Sequence, residues 1–214
     1  MIFLKHKSIF LIPCLLFIAC FLSPFNEPRL TVAGSFVISE INGITYSSAS
    51  LYLGENLDPE AVMVYLNDQR LSEDTCQPVE NKIKFQIPEI PVPGKEYNLR
   101  YETDLGNGNA SCWVPCSFKI VTPIDSVPRN STVYLQFTQS AYADTFDISV
   151  YGAGADTFFD VTDTTAIVLG PEFTADGGEI TINIAARNGK AGYSQEPYIS
   201  WFGEYRIFNE LKVY

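Results

Sequence analysis

The chain has 214 residues, 46% of them hydrophobic and 14% aromatic, with a net charge of −11. The acidic balance disfavours nucleic acid and anionic membrane surfaces as partners, because both need basic patches. Its one histidine, His6, stands near the start. A chain matured past that point can run no Ser-His-Asp or Cys-His mechanism and build no His-containing zinc site. In chain order, Lys5 and Lys7 come first and precede an apolar run from about Ile9 to Leu22. Pro13 interrupts the run, which falls short of the ~20 residues a membrane-spanning helix needs. A short positive segment followed by a short apolar core is the pattern of an export signal.

Phe17-Ile18-Ala19-Cys20 closes that run and resembles the lipobox of bacterial lipoproteins, in which a small residue precedes the modified cysteine. Phe17 and Ile18 match loosely, Ala19 and Cys20 well. The resemblance implies that Cys20 becomes the lipid-bearing N-terminus of a chain anchored to the membrane of the bacterial cell envelope, periplasmic or surface-exposed. A secretory signal cleaved without lipidation and an uncleaved anchor are the competing readings. Of 14 Lys and Arg, Lys5 and Lys7 would leave with the leader, so 12 would face 25 Asp and Glu, a net charge of −13. Residues 1–19 are then the signal and residues 20–33 a tether that holds Pro24 and Pro28.

Past the tether, apolar residues alternate or form short β-branched and aromatic runs between Gly, Pro, Asn and Asp clusters, the mark of many short strands. The pattern predicts strands at Ser35–Ile41, Ser48–Leu53, Ala61–Leu66, Lys82–Ile87, Tyr97–Thr103 and Ser117–Val121. It predicts others at Thr132–Thr138, Asp144–Tyr151, Thr165–Leu169, Glu179–Ala186 and Glu204–Val213. Asn67-Asp68 between two apolar runs predicts a hairpin, since both residues tolerate the positive φ of a tight turn. Short helical pieces are expected only around Asp58–Ala61 and Pro197–Phe202. Pro123 to Pro128 reads as a joint, because its two prolines cannot continue a central strand. It divides the chain into halves of 34–122 and 123–214.

Pro93-Gly94-Lys95-Glu96-Tyr97-Asn98-Leu99-Arg100-Tyr101 resembles the turn and strand F of immunoglobulin-like and fibronectin type III domains. There a tyrosine locks the corner by bonding to the backbone, and Tyr97 is the match. In the second half, residues 132–137 resemble strand B, 144–150 strand C, and 180–192 strand F with its following turn. Phe137 stands near the place of a core Trp, and an Ile replaces the Tyr that starts strand F. The expectation is an all-β protein of two tandem immunoglobulin-like β-sandwiches, the second fibronectin type III-like, behind the signal segment.

The remaining chemistry is sparse. Past Cys20 only Cys76, Cys112 and Cys116 are left, too few for a four-cysteine zinc site. All three are disulfide candidates in an oxidising compartment. Cys112 and Cys116 would need a bend to pair, because four residues of strand span ~13 Å. The acids from Asp144 to Glu179 could offer oxygens to calcium, but solvated strand faces account for them, so no metal or cofactor is expected. Gly106-Asn107-Gly108-Asn109 lacks the strand-to-helix setting of a phosphate cradle. Tyr198, Trp201, Phe202 and Tyr205 form an aromatic cluster that would stack on sugars or a protein if exposed, or fill the second core if buried.

The sequence therefore favours a non-enzymatic binding, adhesion or structural module of the cell envelope. Its partners would be the membrane, through the lipid, and a protein or glycan. The alternatives are a lipid-anchored glycan hydrolase using paired carboxylates, and an accessory module of a separate enzyme or uptake complex. No catalytic residue stands out.

Overall fold

A computed structural model describes residues 29–55, 57–75, 82–152, 157–161, 166–190 and 198–214, and they form strands with two single-turn 3-10 helices. Strand β1 (Arg29–Ile41) turns at Asn42-Gly43, φ 52° and 74°, into β2 (Ile44–Glu55). A 3-10 turn at Pro59–Ala61 follows, capped by the Asp58 carboxylate, which accepts from Glu60 N–H at 3.0 Å. The first half continues with β3 (Met63–Leu66), β4 (Gln69–Arg70), β5 (Ile83–Lys84), β6 (Glu96–Thr103) and β7 (Gly106–Trp113). The second half holds β8 (Ser126–Val127), β9 (Val133–Gln136), β10 (Thr145–Tyr151), β11 (Thr157–Val161), β12 (Ala166–Leu169), β13 (Gly178–Lys190) and β14 (Tyr198–Val213).

Each half has the strand order of an immunoglobulin-like sandwich. In the first, β1-β2-β5 lies against β4-β3-β6-β7, and the Phe36 ring of β1 stacks on Tyr97 of β6 at 3.9 Å between centroids. In the second, β12-β9 lies against β11-β10-β13-β14, with Phe137 against Phe146 at 4.9 Å. Phe137 is 1% exposed and fills the core place expected of it.

The halves are not beads on a string. β14 pairs in parallel with β1 from Thr31↔Tyr198 to Glu40↔Ile207. Along its other edge it pairs antiparallel with β13 from Lys190↔Trp201 to Gly178↔Val213. The last strand thus joins one sheet of each half into a single continuous sheet. Where β1 ends, β8 takes up the same edge at Lys212↔Ser126 and Val213↔Val127. The residues between the prolines of the expected joint therefore pair with the shared strand.

Several expected elements differ. Ser117–Val121 makes only the bridge Ile120↔Phe137. Pro115 and Pro123 bound that stretch, and Lys119 N–H is taken by the Thr138 hydroxyl at 3.1 Å instead of a ladder carbonyl. Tyr198–Phe202 belongs to β14 and is not helical. Gly106–Trp113, where no strand was expected, forms β7. The hairpin at Asn67-Asp68 is present, with φ of 48° and 64°.

Candidate functional site

The corner tyrosine sits where the resemblance put it. Tyr97 is fully buried, its hydroxyl accepts from Val92 N–H at 3.1 Å, and it donates to the Ile90 carbonyl at 3.4 Å. Burial pushes its pKa up, so the hydroxyl stays a donor. This lock fixes the start of β6, and β6 with β7 builds an open polar surface.

On that surface the register alternates cleanly. Tyr97, Leu99 and Tyr101 of β6 point into the core, as do Gly108, Ala110 and Cys112 of β7. The outward set pairs Glu96 with Trp113, Asn98 with Ser111, Arg100 with Asn109 and Glu102 with Asn107. β3 adds Tyr65 opposite Arg100. At one end, the Trp113 ring stacks on Tyr142 at 4.3 Å and 9° between planes. At the other, the Arg100 guanidinium lies 4.1 Å over the Tyr65 ring. Between them a shallow dish of about 330 Å³ is lined by Asp68, Asn98, Arg100, Asn109 and Ser111.

Tyr142 is 48% exposed and has φ 67°, a conformation uncommon for a bulky residue. Neighbouring bonds hold its turn: Cys116 N–H donates to the Ala141 carbonyl, and the Ser140 hydroxyl donates to Cys116 O. Behind the stack, Asn188 Oδ1 accepts from Trp113 N–H at 2.7 Å while its amide donates to Asp144 at 2.9 Å. The platform therefore stands at the seam of the two halves, braced from both. Nothing in the sequence pattern marks it. Trp113 could have been flagged as an outward aromatic only by reading Gly106–Trp113 as a strand.

A second cluster lies on the outer face of the fused sheet. Arg187 of β13 reaches Glu204 of β14, its cross-strand partner, at 2.8 and 3.1 Å, and also pairs with Asp147 of β10. Arg206 also bonds to Glu204, and burial and the nearby Arg187 both lower its pKa. Glu204 is 0% and Asp147 3% exposed. One guanidinium holds both acids. Neither is open to a water or a substrate.

The aromatic cluster of the last strand is largely internal, which corrects the exposed-platform reading. Trp201 is 1% and Tyr205 5% exposed. Trp201 crosses into the first core, edge-on to Phe36 at 5.2 Å, with its indole N–H donating to the Tyr97 carbonyl at 3.2 Å. Phe202 is half-buried under Arg187, 5.0 Å from its guanidinium, and the Tyr198 side chain lies outside the described residues. The last strand fills the second core as expected of its buried reading, with Tyr205 6.0 Å from Phe118, and Trp201 plugs the first core as well.

Cys112 and Cys116 are both free thiols, so they do not pair with each other. Cys112 is buried in the core and Cys116 is half-buried. Burial, then Glu96, pushes the Cys112 pKa up to about 12. It stays a thiol and is inert as a nucleophile. Cys20 and Cys76 lie outside the described residues.

No family model and no curated protein matches the chain. Among solved structures it is similar to the fibronectin(III)-like modules of Clostridium thermocellum CbhA. The identity is 15% over 86% of this chain and 95% of that one, with a TM-score of 0.29. It is also similar to the FN1–FN3 domains of chicken CNTN1, at 11% identity over 86% of this chain and 68% of that one, with a TM-score of 0.26. The strand order, rather than these likenesses, identifies the all-β sandwich fold.

Proposed function

We propose that this chain is a non-enzymatic binding module of the bacterial cell envelope, exported and held to a membrane by a lipid on Cys20. Its division would fall at residue 123, with the first half starting at β1 (Arg29–Ile41) instead of at 34, since Val32 is buried and paired within the sheet, and with the two halves acting as one body. The observation that carries the binding role is the outer face of β4-β3-β6-β7, where the Trp113–Tyr142 ring stack and the Arg100–Tyr65 cation–π pair flank an open polar dish. A catalytic role finds less support, since the paired acids Asp147 and Glu204 share Arg187 under cover from solvent.

The anchor is tested by intact-mass analysis of the mature chain from a bacterial host. The expected N-terminus is Cys20 carrying acyl chains, and Cys20→Ser should move the protein from the membrane to the soluble fraction. An unmodified N-terminus downstream of Cys20, or a retained leader, overturns the lipoprotein reading.

A further inference from the structure

We infer that the outer face of β4-β3-β6-β7 binds an extended, uncharged saccharide chain laid along β6 and β7. One sugar would lie over the Trp113–Tyr142 stack and another over Tyr65–Arg100. The inference rests on the binding role proposed above and names its ligand.

Three features select this chemistry. The first is spacing. Trp113 and Asn109 lie four residues apart on one face of β7, and Asn109 is opposite Arg100. At ~3.4 Å per residue the Trp113–Tyr142 stack and the Arg100–Tyr65 pair are roughly 14 Å apart along the strand, the length of a few linked sugar rings. A sugar presents C–H bonds from its flat side, and these meet the electron-rich face of an aromatic ring favourably.

The second feature is what lies between the stack and the pair. Asn98, Asn109 and Ser111 are exposed. Amides and hydroxyls both donate and accept, as sugar hydroxyls do. The dish of about 330 Å³ is at the small end of ligand sites, suited to one ring and its substituents.

The third feature is charge. On and beside this face, Asp68, Glu96 and Glu102 stand against Arg70 and Arg100, and Arg100 is engaged by Glu102 at 3.2 Å. The mixture holds neither the cation cluster a polyanion needs nor the acid cluster a basic peptide needs. Tyr142 adds weight. A bulky residue at φ 67° sits in a strained region of the backbone, and here that turn keeps an exposed ring flat on Trp113.

The test is affinity electrophoresis of the full chain in detergent micelles, through gels containing hydroxyethylcellulose, galactomannan or dextran, with polygalacturonate as the anionic comparison. The expected result is retardation by at least one neutral polysaccharide and none by polygalacturonate. Tyr142→Gly removes the ring while accepting the positive φ, so the fold is kept. It should weaken retardation roughly fivefold to a hundredfold, the range of one lost aromatic stack on a planar ligand. Tyr65→Ala should weaken it similarly, whereas Tyr134→Ala, an exposed tyrosine of β9, should leave it unchanged.

No retardation in any neutral gel, retardation only by polygalacturonate, or retardation unaltered in Tyr142→Gly overturns the inference. Self-association in sedimentation that Tyr142→Gly abolishes, without glycan retardation, also overturns it, but leaves a binding role for the face through a second copy of the chain. Cys20→Ser should keep full retardation, so failure of the anchor and failure of the ligand are read separately.

Discussion

Tyr205 sits inside the second core within 6.0 Å of Phe118, and its hydroxyl donates to Glu40 of β1 at 2.9 Å. A phenol shut from water and facing a carboxylate resists losing its proton. Burial first, then the bond and charge of Glu40, push its pKa up to about 12. An unfolded tyrosine titrates near 10. The folded chain thus holds this proton where the unfolded chain has lost it, so stability is fully present below pH ~10 and falls as pH rises from there toward ~12. Across that window the loss is about 2–3 kcal/mol for a two-unit shift. Urea unfolding at stepped alkaline pH should show the decline, and Tyr205→Phe should flatten it. A decline of the same slope in Tyr205→Phe would assign it to other groups, such as Tyr97 and Tyr101, whose pKa values burial also raises. At the same scale, Arg187 shows how one residue decides chemistry. By bridging Asp147 and Glu204 it turns a would-be acid pair into a structural tie, and no reading of spacing along the chain could reveal that bridge.

Among the elements, the β3–β4 hairpin shows local rules at work. Asn67 and Asp68 both adopt positive φ, and Asn67 Oδ1 accepts from Asn98 N–H at 2.9 Å, stitching the turn to β6. Tight hairpin turns favour glycine at the second central position, so Asp68→Gly should stabilise by up to about 1 kcal/mol, the order of the Cβ penalty in the left-handed region. The check is a higher urea midpoint at unchanged m-value. A lower midpoint would mean that Asp68 makes a contact worth more than that penalty. Strands such as β3, β6 and β9 were legible for the same local reason: their apolar residues alternate with the pleat. β7 was not. Its inward positions are Gly108, Ala110 and Cys112, kept small because Tyr101 fills the space opposite; a Cβ at Gly108 would stand 2.5 Å from the Tyr101 hydroxyl. A strand whose core face is small reads as a loop, and with it went the outward-facing Trp113. The corner at Tyr97 was legible because one side chain and a nearby backbone suffice to make it. The Trp113–Tyr142 stack was not, because its two rings come from different halves of the chain.

At the scale of the whole molecule, the decisive feature is β14, which serves both halves. Its Leu211 and Val213 are buried in the second half, while Trp201 plugs the first, where Gly34 leaves room for the indole. One cluster of buried side chains runs through both sandwiches. Two tandem domains on a linker would unfold separately. A body that shares a strand, a sheet and a core should unfold as one. Trp201→Ala tests this, because it acts in the first core from a strand of the second half. The expected cost is about 3–5 kcal/mol, as for other large-to-small changes of buried aromatics. The cost should appear equally in both halves. Native-state hydrogen exchange reads this directly: the amides of β6 and of β10 should open at the same free energy in the parent chain and drop together in the variant. A variant in which β6 amides weaken while those of β10 keep their protection would show that the halves unfold independently. The Trp113–Tyr142 platform gives the coupling its functional sense. Its tryptophan comes from β7 and its tyrosine from the turn before β10, so the two rings stay flush only while the halves stay joined, and loosening β14 should weaken that face before it melts either sandwich.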